Sequence, residues 1–190
     1  MSQNTEARSF IQRVQGLLKG AGVSLDDVLQ PSLDDEADLR KLFATDRQNP
    51  RLNDKHVSLV NIFDTPEYIK TVRARVVKGE EDLTAKYVMP LSETERKKEG
   101  KLCMVPNLEE FKKNWSVFTE GSLSQLSDWS NVVAAGGSVL ACLSPLPEPA
   151  KASKRSIRKY YHSMAYPITS DVDIFLYGMT PEQARCQLFL

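Results

Sequence analysis

At 190 residues with 41 % hydrophobic content, the chain can bury a substantial core as one domain or two small ones. Lys plus Arg and Asp plus Glu each total 25, so no net field draws the molecule as a whole to nucleic acid or to a membrane surface. Cys103, Cys142 and Cys186 are odd in number and widely spaced with no C-x-x-C pair, a pattern of free thiols rather than of a disulfide framework or zinc site.

Phe10, Ile11, Val14, Leu17 and Leu18 fall on one helical stripe, which Gly20 and Gly22 end. "SLDDVLQP" reads as a short capped helix closed by Pro31. "SLDDEADLRKLF" follows as a second helix, with Ser32 as its cap and acids in the first turn, where the helix dipole favours them. "TDRQNPRLNDKH" is a polar connection, and "VSLVNIF" is an apolar run that fits strand or helix equally. "TPEYIKTVRARVV" predicts a helix with Thr65 as cap, Pro66 in the first position, and Ile69, Val72 and Val76 on one face. "EEDLTAKYVMP" predicts a short helix and "SETERKKEGK" a charged, solvated one. In "NLEEFKKNWSVF" the residues Leu108, Phe111, Trp115 and Phe118 recur at helical spacing. No arginine-rich strand accompanies this aromatic stripe, so it predicts buried core rather than a base-stacking surface. Residues 1–128 thus read as a mainly helical N-terminal region that names no chemistry.

The texture changes over residues 129–190. "NVVAA" is a short β-prone run, "GGS" breaks it, and "VLACL" begins a helix. A loop with Pro145, Pro147 and Pro149 leads to the basic stretch "KASKRSIRKYYHS". The strand "DVDIFLY" follows, Gly178 ends it, and "TPEQA" opens a helix capped by Thr180. The fold class expected is therefore α+β and mainly helical.

Two carboxylates interrupt that last apolar run. Side chains alternate across a strand, so Asp171, Asp173 and Phe175 point one way and Val172, Ile174 and Leu176 the other. Asp171 and Asp173 lie about 7 Å apart on one face. Two unpaired carboxylates there repel, unless the face is simply solvated at a sheet edge or a cation compensates. A divalent ion does so well, because Mg²⁺ favours carboxylate oxygens together with substrate phosphates. The turn "GGS" supplies a complement: Gly136 and Gly137 let backbone amides approach an anion, and Ser138 adds a hydroxyl. Each feature alone has an ordinary reading, as a sheet edge or a tight turn; their pairing is what points to phosphate and metal.

"AAGGSVLACL" followed by "SDVDIF" resembles the core signature of the nucleotidyltransferase superfamily, in which a Gly-Gly or Gly-Ser turn precedes a D-x-D or D-x-E strand, as in poly(A) polymerases and CCA-adding enzymes. The stretch from "FKKNW" to "TPEQA" is similar to an uncharacterised family of such proteins from fungi and large DNA viruses. The motifs span about Asn131 to Ala184, roughly a third of the chain. The resemblance implies a partial nucleotidyltransferase-like core over 129–190. In it Gly136, Gly137 and Ser138 contact a nucleoside triphosphate, and Asp171 and Asp173 act as catalytic residues and ligands of Mg²⁺ or Mn²⁺. It also implies a further strand with a third carboxylate, whereas no acidic residue follows Glu182. The expectation is an incomplete core, inactive as this chain alone.

The basic stretch has two readings. Lys151, Lys154, Arg155, Arg158 and Lys159 suit nucleic-acid phosphates, or an exposed helix or loop. His56 and His162 have no companions at ligand spacing. Two other functions compete: a non-catalytic interaction module carrying a vestigial nucleotide site and, less favoured, a D-x-D glycosyltransferase. No apolar run approaches the ~18 residues of a membrane span, and "MSQNTEARSF" carries no signal-peptide core. The expected location is the cytoplasm or the nucleus, without membrane attachment.

Overall fold

The computed structural model describes residues 5–17, 25–72, 98, 100–163 and 171–188. The chain divides after Ile69 into two compact units, Met1–Ile69 and Lys70–Leu190. The change of texture near Trp129 is therefore not where the structure divides.

In the first unit α1 (Thr5–Leu17) packs on α2 (Leu25–Thr45). Sequence reasoning put two helices where α2 runs on, with Pro31 inside it. An interior proline costs about 3 kcal/mol of helix stability, and tertiary contacts on either side of it offset that cost. Val28 is buried, and its carbonyl accepts from Arg13 Nε at 3.0 Å. Ser32, expected to cap a new helix, donates instead to Glu6 Oε1 at 2.8 Å and accepts from Arg13 Nη2 at 2.8 Å. Arg13 also pairs with Glu6, and this bond holds the Glu6 carboxyl below its usual range against the opposing effect of burial.

After α2 the polar connection holds one 3₁₀ turn, Pro50–Asn53, capped by Asn49, and the run 57–63 forms turns, neither strand nor helix. Asp54 Oδ1 accepts from the His56 amide at 2.9 Å and Asn61 Oδ1 from the Phe63 amide at 3.2 Å, local bonds that compete with regular structure. The helix expected from Thr65 is a single 3₁₀ turn, Glu67–Lys70. The Thr65 hydroxyl donates back to the Ile62 carbonyl instead of accepting from a helix amide. Within the second unit Thr71 forms an antiparallel bridge with Leu102, and the Val72 amide donates to Lys101 O at 2.7 Å. The rest of that helix and nearly all of the two predicted after it lie outside the described residues.

The second unit is built on α3 (Leu108–Phe118), which packs against α4 (Gly137–Leu143) and α6 (Lys154–Tyr161). Asn107 caps α3, its side chain accepting from the Glu110 amide at 2.8 Å. The short α5 (Glu148–Lys151) leads into α6. Ala141, Leu146, Ala150, Ile157 and Tyr161 form the core, with Val117, Phe118 and Tyr160 against it. The aromatic stripe is only partly core. Phe118 meets Tyr161 edge-on at 5.2 Å, while Phe111 and Trp115 stack on each other half-buried and Leu108 is exposed. The fully buried residue of α3 is Asn114, whose Nδ2 donates to Cys142 O at 3.2 Å.

β1 (Val132–Ala135) and β2 (Asp173–Leu176) form a two-stranded antiparallel sheet in the register Val132↔Leu176 to Ala135↔Asp173. α7 (Pro181–Leu188) follows, opened by a reciprocal cap: Gln183 N donates to Thr180 Oγ1, and Gln183 Oε1 accepts from Thr180 N at 2.9 Å. The fold is α+β and mainly helical. Among the described residues no helix is long and apolar enough to cross a membrane.

Candidate functional site

Antiparallel pairing brings the C-terminal end of β1 beside the N-terminal end of β2, so the glycine turn and the aspartates meet although 32 residues separate Ser138 from Asp171. Asp173 sits opposite Ala135 in the last pair of the ladder; Asp171 precedes β2, and Gly137 already belongs to α4. Asn131 frames the other end of the ribbon: its Nδ2 donates to Tyr177 O at 2.8 Å, and its carbonyl accepts from the Tyr177 amide at 3.0 Å.

Gly136 turns the chain from strand to helix at φ 79° and ψ −156°, a conformation essentially confined to glycine. The Asp173 carboxylate lies against its α-carbon. A Cβ at Gly136 would fall 2.4 Å from Asp173 Oδ2. Glycine is needed here on two independent grounds, backbone conformation and room for the carboxylate.

Asp171 and Asp173 are both exposed, and among the described residues neither has a hydrogen-bond or ion-pair partner. The Gly136 position likewise offers no side-chain cap to the first amides of α4. Ser138 differs from the sequence expectation: it is fully buried, and its hydroxyl lies 3.5 Å from Ala135 O, directed into the fold.

Two carboxylates without partners fit the way Mg²⁺ is held, through one or two carboxylates plus waters and substrate phosphates. Among the described residues no group of three or more His, Cys, Asp or Glu side chains gathers around one point. A metal here would complete its shell from the phosphates and water.

The strand is not the core strand its composition suggested. Phe175 is 54 % exposed, and its cross-strand partner Val133 is 47 % exposed. Sequence reasoning assigned Phe175 to the aspartate face but read the run as apolar core; alternation alone cannot say which face a neighbour covers.

The basic stretch is a helix. α6 buries Ile157 and Tyr161 and exposes Lys154, Arg155, Arg158 and Lys159. Glu120 pairs with Arg158 at 2.8 Å and lies 3.0 Å from His162 Nε2, while Lys151 pairs with Glu148 at 2.9 Å. Lys154, Arg155 and Lys159 have no ion-pair partner among the described residues. With Ser116, Val117 and Glu120, residues Lys154, Arg155 and Arg158 line a cleft of about 410 Å³ between α3 and α6. Comparison of the chain with protein-family models, curated proteins and solved structures returns no match.

Proposed function

We propose that this chain is a nucleotidyltransferase-like protein that binds a nucleoside triphosphate together with Mg²⁺ or Mn²⁺ at the junction of β1, α4 and β2. The observation that carries the reading is the Asp173 carboxylate, without a partner among the described residues, seated against the Gly136 turn, with Asp171 two residues before it in the chain. A divalent ion on these two carboxylates would relieve their repulsion and neutralise triphosphate charge beside the turn. Gly136 and Gly137, both exposed, let the phosphates approach the backbone, while Ser138 is wholly buried and supports the turn from beneath. The two carboxylates support binding; nucleotidyl transfer is not the activity proposed for these residues alone.

A nucleic-acid strand is the second partner in this reading. Lys154, Arg155 and Lys159, cations of one helix with no ion-pair partner among the described residues, support it as a phosphate-binding surface. Equilibrium titration of the protein with ATP, in Mg²⁺ and in EDTA, tests the main claim. Saturable, metal-dependent binding is expected. Affinity unchanged by EDTA, or no binding in either buffer, overturns it and leaves the interaction module as the better account.

A further inference from the structure

Residues 173, 175 and 177 alternate onto one side of β2 and the residue that follows it, so that a carboxylate is followed by two aromatic rings, with Asp171 just before the strand. Asp171, Asp173, Phe175 and Tyr177 are all exposed, Phe175 at 54 % and Tyr177 at 40 %, while on the other side Val172 and Leu176 are partly covered and Ile174 is 37 % exposed. On β1 the same division holds: Val133, opposite Phe175, is 47 % exposed, and Val132 is buried. The side that carries Asp173 is thus the more open of the two, a strip anionic at the glycine turn and apolar farther on. Phe175 lies about 7 Å along the strand from Asp173.

Large exposed rings on a surface that buries nothing of its own need a reason beyond packing. A ligand suited to this strip carries concentrated negative charge at one end, bridged by a metal to the carboxylates, and a flat ring at the other. We infer that Phe175, backed by Val133, is the platform on which the base of the bound nucleoside triphosphate stacks. The inference rests on the proposed metal and triphosphate site and adds the subsite for the base. Every base presents a π-face, so the platform favours nucleotides over bare polyphosphate without selecting among bases.

Tripolyphosphate, which has the charge of the nucleotide and no ring, separates the two claims. In Mg²⁺ the parent should bind ATP more tightly than tripolyphosphate. Phe175→Ala should weaken ATP by about 5- to 150-fold, the range of one base–aromatic stack, and leave tripolyphosphate unchanged. Phe175→Trp should restore or exceed the parent affinity for ATP. Phe175 is exposed, so its replacement leaves the core intact, and unchanged circular dichroism verifies this. Equal loss for both ligands in Phe175→Ala, or no loss for either, overturns the platform. A parent that binds tripolyphosphate as well as ATP also overturns it while the metal site stands. A parent that binds neither ligand in Mg²⁺ overturns both.

Discussion

Replacing Gly136 with alanine probes the turn and the aspartate strand together. At φ 79° and ψ −156° a residue with a Cβ bears roughly 1–3 kcal/mol of backbone strain. The new methyl would stand 2.4 Å from Asp173 Oδ2, closer than any stable contact. That carboxylate has no partner among the described residues, so it can swing aside for about 0.5–1.5 kcal/mol. Gly136→Ala should therefore destabilise the second unit by about 2–4 kcal/mol, the smaller share of it coming from Asp173. Asp173→Ala removes that share, so Gly136→Ala should cost about 1 kcal/mol less in the Asp173→Ala background. Urea unfolding followed by tryptophan fluorescence isolates the effect, because Trp115 and Trp129 both lie in the second unit. A Gly136→Ala protein as stable as the parent would refute the turn geometry. An equal cost in both backgrounds would refute the seating of Asp173 against it.

The core of the second unit should be most sensitive at Ile157, where truncation to alanine leaves a cavity and costs about 2–5 kcal/mol in urea unfolding. Trp115→Ala, half-buried, should cost less than Ile157→Ala, and the reverse order would contradict the packing of α3. In the first unit, Glu6 has a folded pKa below its unfolded value of 4.5, so its contribution is present above that value and is lost as pH falls through the folded one. Glu6→Gln should therefore lower stability at pH 7 and lessen its dependence on pH below 4.5 in thermal melts read by circular dichroism; an unchanged acid limb would contradict the Arg13–Glu6–Ser32 network.

Local chemistry made the second unit's framework legible. The β-prone run "NVVAA", the glycine pair and the Thr180-Pro181 start each carry their signal within a few residues, and each is an element boundary in the structure, while the D-x-D strand begins only at its second aspartate, Asp173. The meeting of Asp173 with Gly136 followed from strand alternation and the glycine turn, since β1 and β2 pair directly. Elements decided by distant contacts were not legible. Pro31 reads as a helix end, yet Arg13, fifteen residues from Val28, anchors the helix that runs through it. The Thr65-Pro66 start gave only one turn, because the residues beyond it pair with the segment around Leu102. Apolar composition gave β2 as core, but a ribbon of two strands has too few neighbours to cover it, and both Ile174 and Phe175 are exposed. Similarly, Asn114 is buried inside an aromatic-rich helix because a carbonyl of α4 meets it there, a partner invisible in the local pattern.

The central claim is that Asp171 and Asp173 form a metal site, and replacing both with asparagine tests it most directly. Asparagine keeps the shape and removes the charge, so the metal-free double variant should be at least as stable as the parent in EDTA, with the repulsion gone. MgATP should raise the melting temperature of the parent, because a ligand stabilises through its affinity for the folded state, and should leave that of the double variant unchanged. A double variant destabilised by about 1–3 kcal/mol in EDTA, as lost charge-assisted bonds would cost, with a parent that does not respond to MgATP, would contradict the account.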